Sequence, residues 1–271
     1  MWVQAYPEDK ATLEGVNILR NIALILKYRG TNYHGWQSQN NAVAIQDVLS
    51  RAIKKLTGSA PIPHLEGCGR TDAGVHALSY VANFKTETAI AAERLAPALN
   101  ALLPEDISVS KALDVDDDFH ARFNCRKKEY VYKIYDCAHR DPFFAGLALH
   151  HPFRLDHELM DRAARHLQGT HDFSAFRAAG SKVNGSVRTM FAAKVWREGD
   201  LVSLSFLADG FLYNMVRILA GTLVYISEGK IVADALPEII RSGDRNAAGK
   251  TLPPCGLYLA KVWYDAGCID G

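Results

Sequence analysis

The chain has 271 residues, of which 48% are hydrophobic and 23% charged, and its formal net charge is +1. This composition is typical of a globular protein with a sizeable core, and the near-zero net charge gives no overall electrostatic reason to expect nucleic-acid binding. The five cysteines are widely spaced and form no Cys-x-x-Cys pair, which argues against a disulfide framework and against a zinc ribbon.

The sequence also predicts no membrane partner and a cytoplasmic location. No apolar run reaches the roughly 18 residues that a membrane span requires. The segment at the N-terminus, MWVQAYPEDKATLEG, lacks the charged start and the apolar core of a signal peptide.

The N-terminal part of the chain predicts an extension followed by a first domain. Residues 1–15 show no periodicity and predict a loose extension. Residues 16–115 predict an α+β domain, in which apolar residues at helical spacing from Ile45 to Leu56 end before Gly58. The predicted elements are a strand at Ile22–Leu26, a helix at Ile45–Leu56, a strand at Leu78–Phe84, a helix at Glu93–Leu103 and a strand at Ile107–Leu113.

An acidic connection at Asp114–Asp118 predicts the boundary to a second domain, residues 116–271. The predicted elements are strands at Glu129–Asp136, Arg188–Trp196, Leu201–Gly210 and Gly256–Tyr264, and helices at Asp156–Gln168, Phe211–Ile226 and Ala233–Ser242. Hairpins join strand pairs as often as helices do, which favours antiparallel pairing. We therefore predict an α+β fold of two similar α/β-sandwich halves with mainly antiparallel sheets.

Basic and aromatic residues alternate between His120 and Lys133. Such a segment is typical of a surface that binds phosphates and stacks on bases. The same pattern also fits a solvated charged face beside a strand, and the segment alone does not decide between them.

The stretch GCGRTDAGVHA, Gly67 to Ala77, is the candidate for chemistry. Its spacing matches neither a phosphate-binding loop nor a dinucleotide-binding motif, and the chain contains no HExxH zinc motif and no GxSxG nucleophile elbow. What remains is Asp72 in a glycine-rich loop. In an extended loop Arg70 would lie on the same side and could pair with Asp72. Such a carboxylate suits a nucleophile or a general base, but an Arg–Asp pair that only fixes a turn fits equally well.

The motif also resembles a known signature. GRTDAGVHA is similar to the signature of the tRNA pseudouridine synthase A family, and further blocks agree in order: YRGTNYHGWQSQ, DFHARFNCRKKEYVYKI, HDFSAF, GFLYNMVRILAG and GLYLAKVWY. The similarity extends from about Ile22 to Tyr264. A nine-residue match with ordered blocks on both sides is far more specific than one glycine-rich motif.

The resemblance implies the site residues. Asp72 would be the catalytic nucleophile with Arg70 as its charged partner, Tyr130 would close against the target base, and Arg217 would pair with Asp72 from the second domain. An arginine in an apolar helix otherwise needs a partner for its charge. His76 would only position the loop. The implied substrate-binding residues are His120, Arg122, Arg126, Lys127, Lys128 and Tyr130.

The resemblance further implies a reaction and a partner. The reaction is the isomerisation of uridine to pseudouridine in the anticodon stem-loop of tRNA, at positions 38–40, with no metal and no cofactor. Whether Asp72 adds to C1′, acts as a base at C2′ or adds to the uracil stays open. The enzyme would be a homodimer with an RNA-binding cleft between its two halves. Two alternatives stay open: an RNA-binding module that has lost the chemistry, and a hydrolase of glycosidic bonds, which usually needs two catalytic carboxylates.

Overall fold

The computed structural model describes residues 19–61, 63–180, 185–265 and 269. The predicted N-terminal extension, residues 1–15, lies outside the described residues. The strands are β1 (Arg20–Tyr28), β2 (Glu66–Gly67), β3 (His76–Thr86), β4 (Ile107–Val115), β5 (Lys127–Asp136), β6 (Leu149–His151), β7 (Gly169–Asp172), β8 (Val187–Glu198), β9 (Leu201–Ala208) and β10 (Leu257–Trp263). The α-helices are α1 (Ile45–Thr57), α2 (Ala92–Asn100), α3 (His157–Ala164), α4 (Met215–Ser227) and α5 (Leu236–Ser242).

All ten strands belong to one mostly antiparallel sheet, in the order β4-β1-β3-β10-β5-β9-β8-β7, with β2 added to β3 and β6 to β5. This architecture confirms the predicted fold class. The structure adds that the sheets of the two halves are continuous, because β10 pairs in parallel with β3 and in antiparallel fashion with β5. The last strand of the chain therefore joins the two halves at the centre of the sheet.

The described residues form two hydrophobic clusters, one for each half of the sheet. The first contains β1, β3, β4 and the apolar faces of α1 and α2, and the second contains β5, β8, β9 and the helices α3, α4 and α5. Tyr130 on β5 packs against both clusters. The site described below lies where the two clusters meet; the domain boundary at 115/116 stays a prediction.

The alternation of β5 determines which side chains face that junction. Successive residues of a strand point to opposite faces, so Lys128, Tyr130, Tyr132 and Ile134 share one face. Tyr132 and Ile134 are fully buried in the second cluster together with residues of α4. Lys128 and Tyr130 therefore lie on the helix-covered face, at the end of β5 nearest the first half.

Helix α4 begins later than the sequence predicts. The apolar run from Phe211 predicts helix throughout, but the first helical residue is Met215, because the preceding Asn214 has a φ of 59° and a ψ of 8°. This left-handed conformation cannot continue an α-helix. As a result, residues 211–214 form a loop, and Arg217 lies in the first turn of α4.

Candidate active site

A cavity of about 720 Å³ lies between the two halves. Its walls come from the loop after β2, from β5 and from the loop that leads into α4, and they include Arg70, Asp72, Tyr130 and Asn214. A cavity of this volume has the size of a typical small-molecule site. A single nucleotide fits such a space.

Three strands of the sheet hold the loop that carries Asp72. Side chains of β1, β3 and β5 form hydrogen bonds to three of its residues, and two of these bonds involve loop carbonyl groups. The bonds join Tyr28 Oη to Thr71 Oγ1 at 2.9 Å, Tyr80 Oη to Gly69 O at 2.6 Å, and Lys128 Nζ to Cys68 O at 2.7 Å. Because the strands belong to one sheet, the loop is anchored to the central sheet of the fold.

The segment after β1 holds the same loop from the other side. The amide of Trp36 donates to Thr71 O at 3.2 Å, and the amide of Gly74 donates to Tyr33 O at 3.1 Å. A side chain at Gly35 would collide with the Thr71 carbonyl, and the φ of Gly35, +82°, is unfavourable for other residues. The block YRGTNYHGWQ, part of the resemblance to the family, thus packs directly on the loop that carries Asp72.

His76, at the end of the motif, is almost completely buried. Its Nδ1 accepts a hydrogen bond from the amide of Gly30 at 3.1 Å, so its Nε2 carries the proton and donates to Cys255 O at 3.2 Å. Burial lowers the pKa of His76, which favours this neutral form. His76 is structural, as expected, and joins the loop to the segment before β10.

Asp72 forms an ion pair with Arg217, in which Arg217 Nη1 lies 3.6 Å from Asp72 Oδ2. The two side chains are 30% and 16% exposed, respectively, so water screens the pair only in part. Asp72 belongs to the first half and Arg217 to α4 of the second half. The structure brings them together, as the resemblance implies.

The predicted pair between Arg70 and Asp72 is wrong. The loop does not stay extended past Asp72 but enters a turn, in which the amide of Val75 donates to Asp72 O at 3.1 Å. The Asp72 carboxylate therefore faces α4, whereas Arg70 is exposed at the cavity wall and forms no ion pair with Asp72.

Two further hydrogen bonds hold the Arg217 guanidinium. Its Nε donates to Leu252 O at 2.6 Å, and its Nη1 donates to Asn214 Oδ1 at 2.7 Å. The carbonyl of Leu252 is placed by close packing of its segment on α4, because a side chain at Gly221 would collide with the Lys250 carbonyl. These partners satisfy the charge of Arg217 at a largely buried position.

Burial raises the pKa of Asp72, and the nearby Arg217 opposes this rise only in part. The net pKa lies above the ordinary value of 3.8. The anionic form of Asp72 is therefore less well stabilised than that of a solvated carboxylate. An under-stabilised carboxylate is more basic and more nucleophilic.

Tyr130 is half-buried at the base of the cavity. Its ring packs edge-on against Phe211, with the ring centroids 5.1 Å apart. Burial, with a smaller contribution from the negative charge of Asp72, raises the pKa of Tyr130 well above 10. Its hydroxyl is therefore neutral, and the two rings give the cavity an aromatic wall.

The basic segment divides into two groups. Of the residues implied in RNA binding, Arg122, Lys128 and Tyr130 line the cavity. The others do not line it: Arg126 forms an ion pair with Asp265, Lys127 lies over the ring of Phe191, and His120 contacts Glu66. Lys128 also donates to the loop, so it has a structural role beside any contact with RNA.

A family model described as tRNA pseudouridine synthase matches residues 24–124 and 163–265. The chain belongs to the tRNA pseudouridine synthase family. Three bacterial relatives called tRNA pseudouridine synthase A are similar over 246 residues, which are 91% of this chain and 100% of each relative. Those of Thermoanaerobacter sp. strain X514 and Acetivibrio thermocellus are 49% identical, and that of Geotalea uraniireducens is 43% identical.

Family membership confirms the predicted family and, with it, an isomerase that pseudouridylates tRNA. No helix in the described part of the chain has the length and apolar character needed to cross a membrane. Within the same residues, no group of three or more His, Cys, Asp or Glu side chains could hold a metal ion.

Some residues that hold the candidate site together were not predicted from the sequence. Asn214 and Leu252 hold Arg217, and Tyr28 and Tyr80 hold the loop. A tyrosine inside an apolar strand gives no sign of its hydroxyl partner, and a main-chain carbonyl such as that of Leu252 leaves no trace in a sequence. Asn214 did leave a signal, since asparagine is one of the few residues other than glycine that often adopt a left-handed conformation, which can end an apolar helical run.

We expect Tyr80→Phe to impair the synthase more than its effect on stability explains. The change leaves the Gly69 carbonyl without its buried donor, which lowers the free energy of unfolding by about 1–2 kcal/mol and loosens the loop that holds Asp72. Urea unfolding and the single-turnover rate on tRNA measure the two effects.

The matched control is Tyr264→Phe, which removes a comparable bond to Ala121 O, 2.7 Å long, outside the loop. It should lower stability by a similar amount and leave the rate unchanged. Equal rates for the two variants would show that support of the loop is not needed for catalysis.

Proposed function

We propose that this synthase converts uridine to pseudouridine in the anticodon stem-loop of tRNA, at positions 38–40, with Asp72 as nucleophile and without a cofactor. The observation that carries the proposal is the Asp72–Arg217 ion pair in the wall of the cavity between the two halves. Family membership supports tRNA as the substrate. The stem-loop and the role of each residue are our inference.

The chemistry fits the groups present. The N1–C1′ bond of uridine breaks, the base turns, and a C5–C1′ bond forms. C5 loses its proton and N1 gains one, so the product is an isomer of the substrate. Bond breaking leaves C1′ electron-poor and the uracil negatively charged. The Asp72 carboxylate adds to C1′ as N1 leaves and is released again when C5 bonds to C1′, and the Arg217 guanidinium beside it offsets the charge on the uracil.

The cavity reaches only a base that has left the helical stack. Flipping a nucleotide out of a stem costs a few kcal/mol. The rings of Tyr130 and Phe211 recover part of this cost by packing on the base, at about 1–3 kcal/mol for a stacked base. Because the Tyr130 hydroxyl is neutral, we assign Tyr130 to packing rather than to proton removal in the resting enzyme.

Exposed cations lie around the cavity. Arg70 and Arg122 are both exposed and both line the wall. With a net charge of only +1, the chain attracts RNA where its cations gather, so we assign these two arginines to the phosphates next to the flipped uridine. By family membership we also propose a homodimer that acts in the cytoplasm.

The first test uses tRNA tritiated at uridine C5, from which bond formation at C5 releases label into water. We expect release by the wild type from tRNA that carries uridine in the anticodon stem-loop. Asp72→Asn should slow release by more than about 10³-fold, because the amide cannot act as nucleophile or base. Filter binding should show that this variant retains its affinity for tRNA.

Each alternative predicts a different outcome of the same assay. No release by the wild type would indicate an RNA-binding module without chemistry, and free uracil in the supernatant would indicate a hydrolase. Normal release by Asp72→Asn would remove Asp72 from the reaction. If a tRNA without its anticodon stem-loop still releases tritium at the same rate, only the proposed position of the modified uridine is refuted.

The pH dependence of the rate follows from the environment of Asp72. The rate should fall as the pH falls through the raised pKa of Asp72, so the midpoint of the acid limb lies above 3.8. Arg217→Gln should move the midpoint to still higher pH, because the arginine lowers this pKa. Single-turnover rates on tRNA measured across pH provide the test.

Glu66 is another carboxylate that lines the cavity. Glu66→Gln is therefore the control, and it should leave the midpoint in place. If the midpoint shifts in Glu66→Gln but not in Arg217→Gln, Asp72 is not the carboxylate that produces the acid limb, and our assignment is wrong.

Binding of tRNA should weaken steeply with salt, with a slope that reports the number of phosphate contacts. Arg122→Ala should reduce the slope of log K against log salt by about one, because one phosphate contact is lost. Lys85→Ala is the matched control, since Lys85 is exposed on β3 and lies outside the cavity lining. Equal slopes for the two variants would contradict the assignment of Arg122.

A further inference from the structure

Asn214 has an unusual backbone conformation at a sensitive position. Its φ is 59°, and no other non-glycine residue has a positive φ within the part of the chain that the structure describes. A residue directly before a helix normally has an extended backbone and caps the helix with its side chain. Asn214 does neither, because its side chain makes no capping hydrogen bond.

The side chain of Asn214 has a different partner. Its Oδ1 accepts a hydrogen bond of 2.7 Å from Arg217 Nη1. The left-handed backbone places the side-chain amide of Asn214 next to the guanidinium of Arg217, which lies about one helical turn later in the chain. Glycine would adopt this backbone more readily than asparagine, so the conformation alone does not account for asparagine here. The contact with Arg217 does.

The same nitrogen of Arg217 faces the catalytic carboxylate. Nη1 lies 2.7 Å from Asn214 Oδ1 and 3.6 Å from Asp72 Oδ2. The distance to Asp72 is that of an ion pair and exceeds that of a normal hydrogen bond. The nitrogen is thus held by the amide, with the carboxylate near but not directly bonded.

This arrangement has a chemical consequence. A carboxylate that accepts a direct hydrogen bond from a guanidinium is strongly stabilised, so its pKa falls and its nucleophilicity falls with it. A carboxylate at a longer distance from the cation keeps a free lone pair and a higher basicity. The second state suits a group that must attack C1′.

We propose that Asn214 is a positioning residue that holds Arg217 back from Asp72. Its Oδ1 accepts a hydrogen bond from Nη1, keeps the guanidinium at ion-pair distance and leaves Asp72 reactive. Leu252 O fixes the opposite side of the guanidinium through Nε, at 2.6 Å. This inference rests on the proposed role of Asp72 as nucleophile.

The test compares Asn214→Gly with Asn214→Asp. Glycine tolerates the left-handed backbone, so it removes the acceptor without straining the loop. The guanidinium then closes on Asp72, and we expect the single-turnover rate on tRNA to fall about tenfold and the acid limb of the pH profile to move to lower pH. Asn214→Asp keeps an acceptor and adds a negative charge near Asp72, so it should retain most of the rate and move the limb to higher pH.

A structural role alone would not shift the two acid limbs in opposite directions. Thermal unfolding of both variants shows whether the fold is retained, and the rate is compared only at temperatures well below both midpoints. An unchanged rate and limb for Asn214→Gly, or a limb moved to higher pH, would overturn the proposal.

The outcome also separates this inference from the proposed function. If the wild type releases tritium, Asp72→Asn does not, and Asn214→Gly behaves as the wild type, only the role of Asn214 is refuted. If Asp72→Asn is active, the proposed function fails before Asn214 is considered.

Discussion

The ion pair between Asp72 and Arg217 joins two halves of the molecule whose hydrophobic clusters are otherwise largely separate. Each partner is placed by its own half: the sheet holds the loop of Asp72, and α4 with its packed segment holds Arg217. The geometry of the site therefore depends on the relative position of the halves. The continuous sheet fixes that position, because β10 is hydrogen-bonded to both.

The pair is poorly suited to stabilising the fold. Burial raises the pKa of Asp72 despite the adjacent cation, which means that the attraction does not fully repay the cost of removing the carboxylate from water. Two other features of the site are also poorly suited to stabilising the fold. They are the left-handed backbone of Asn214 and the exposed Arg70 in the cavity lining. Such departures from stable local structure are typical of functional sites, where the remainder of the fold bears their cost.

Sequence patterns predicted the long helices and strands, although not the start of α4 or the short strands β2, β6 and β7, and they did not predict where the elements meet. Helical spacing predicted α1, and strand alternation predicted β3 and β5, because these patterns reflect burial within one element. The partner of Asp72 was not readable from spacing. Local geometry favoured Arg70, two residues away, whereas Arg217 is 145 residues away and came only from the family resemblance. Long-range contacts depend on how strands are ordered in the sheet, and nothing in the local pattern of β10 indicates that it lies between β3 and β5.

The central place of β10 also bears on when the enzyme becomes active during its synthesis. The ribosome makes the chain from its N-terminus, and early segments fold first. Every other strand described here is complete before β10 is made, so the nascent chain carries two unfinished halves. The strand that unites them is made after the others, so a partly made chain lacks the hydrogen-bonded link that sets the two sides of the site relative to each other.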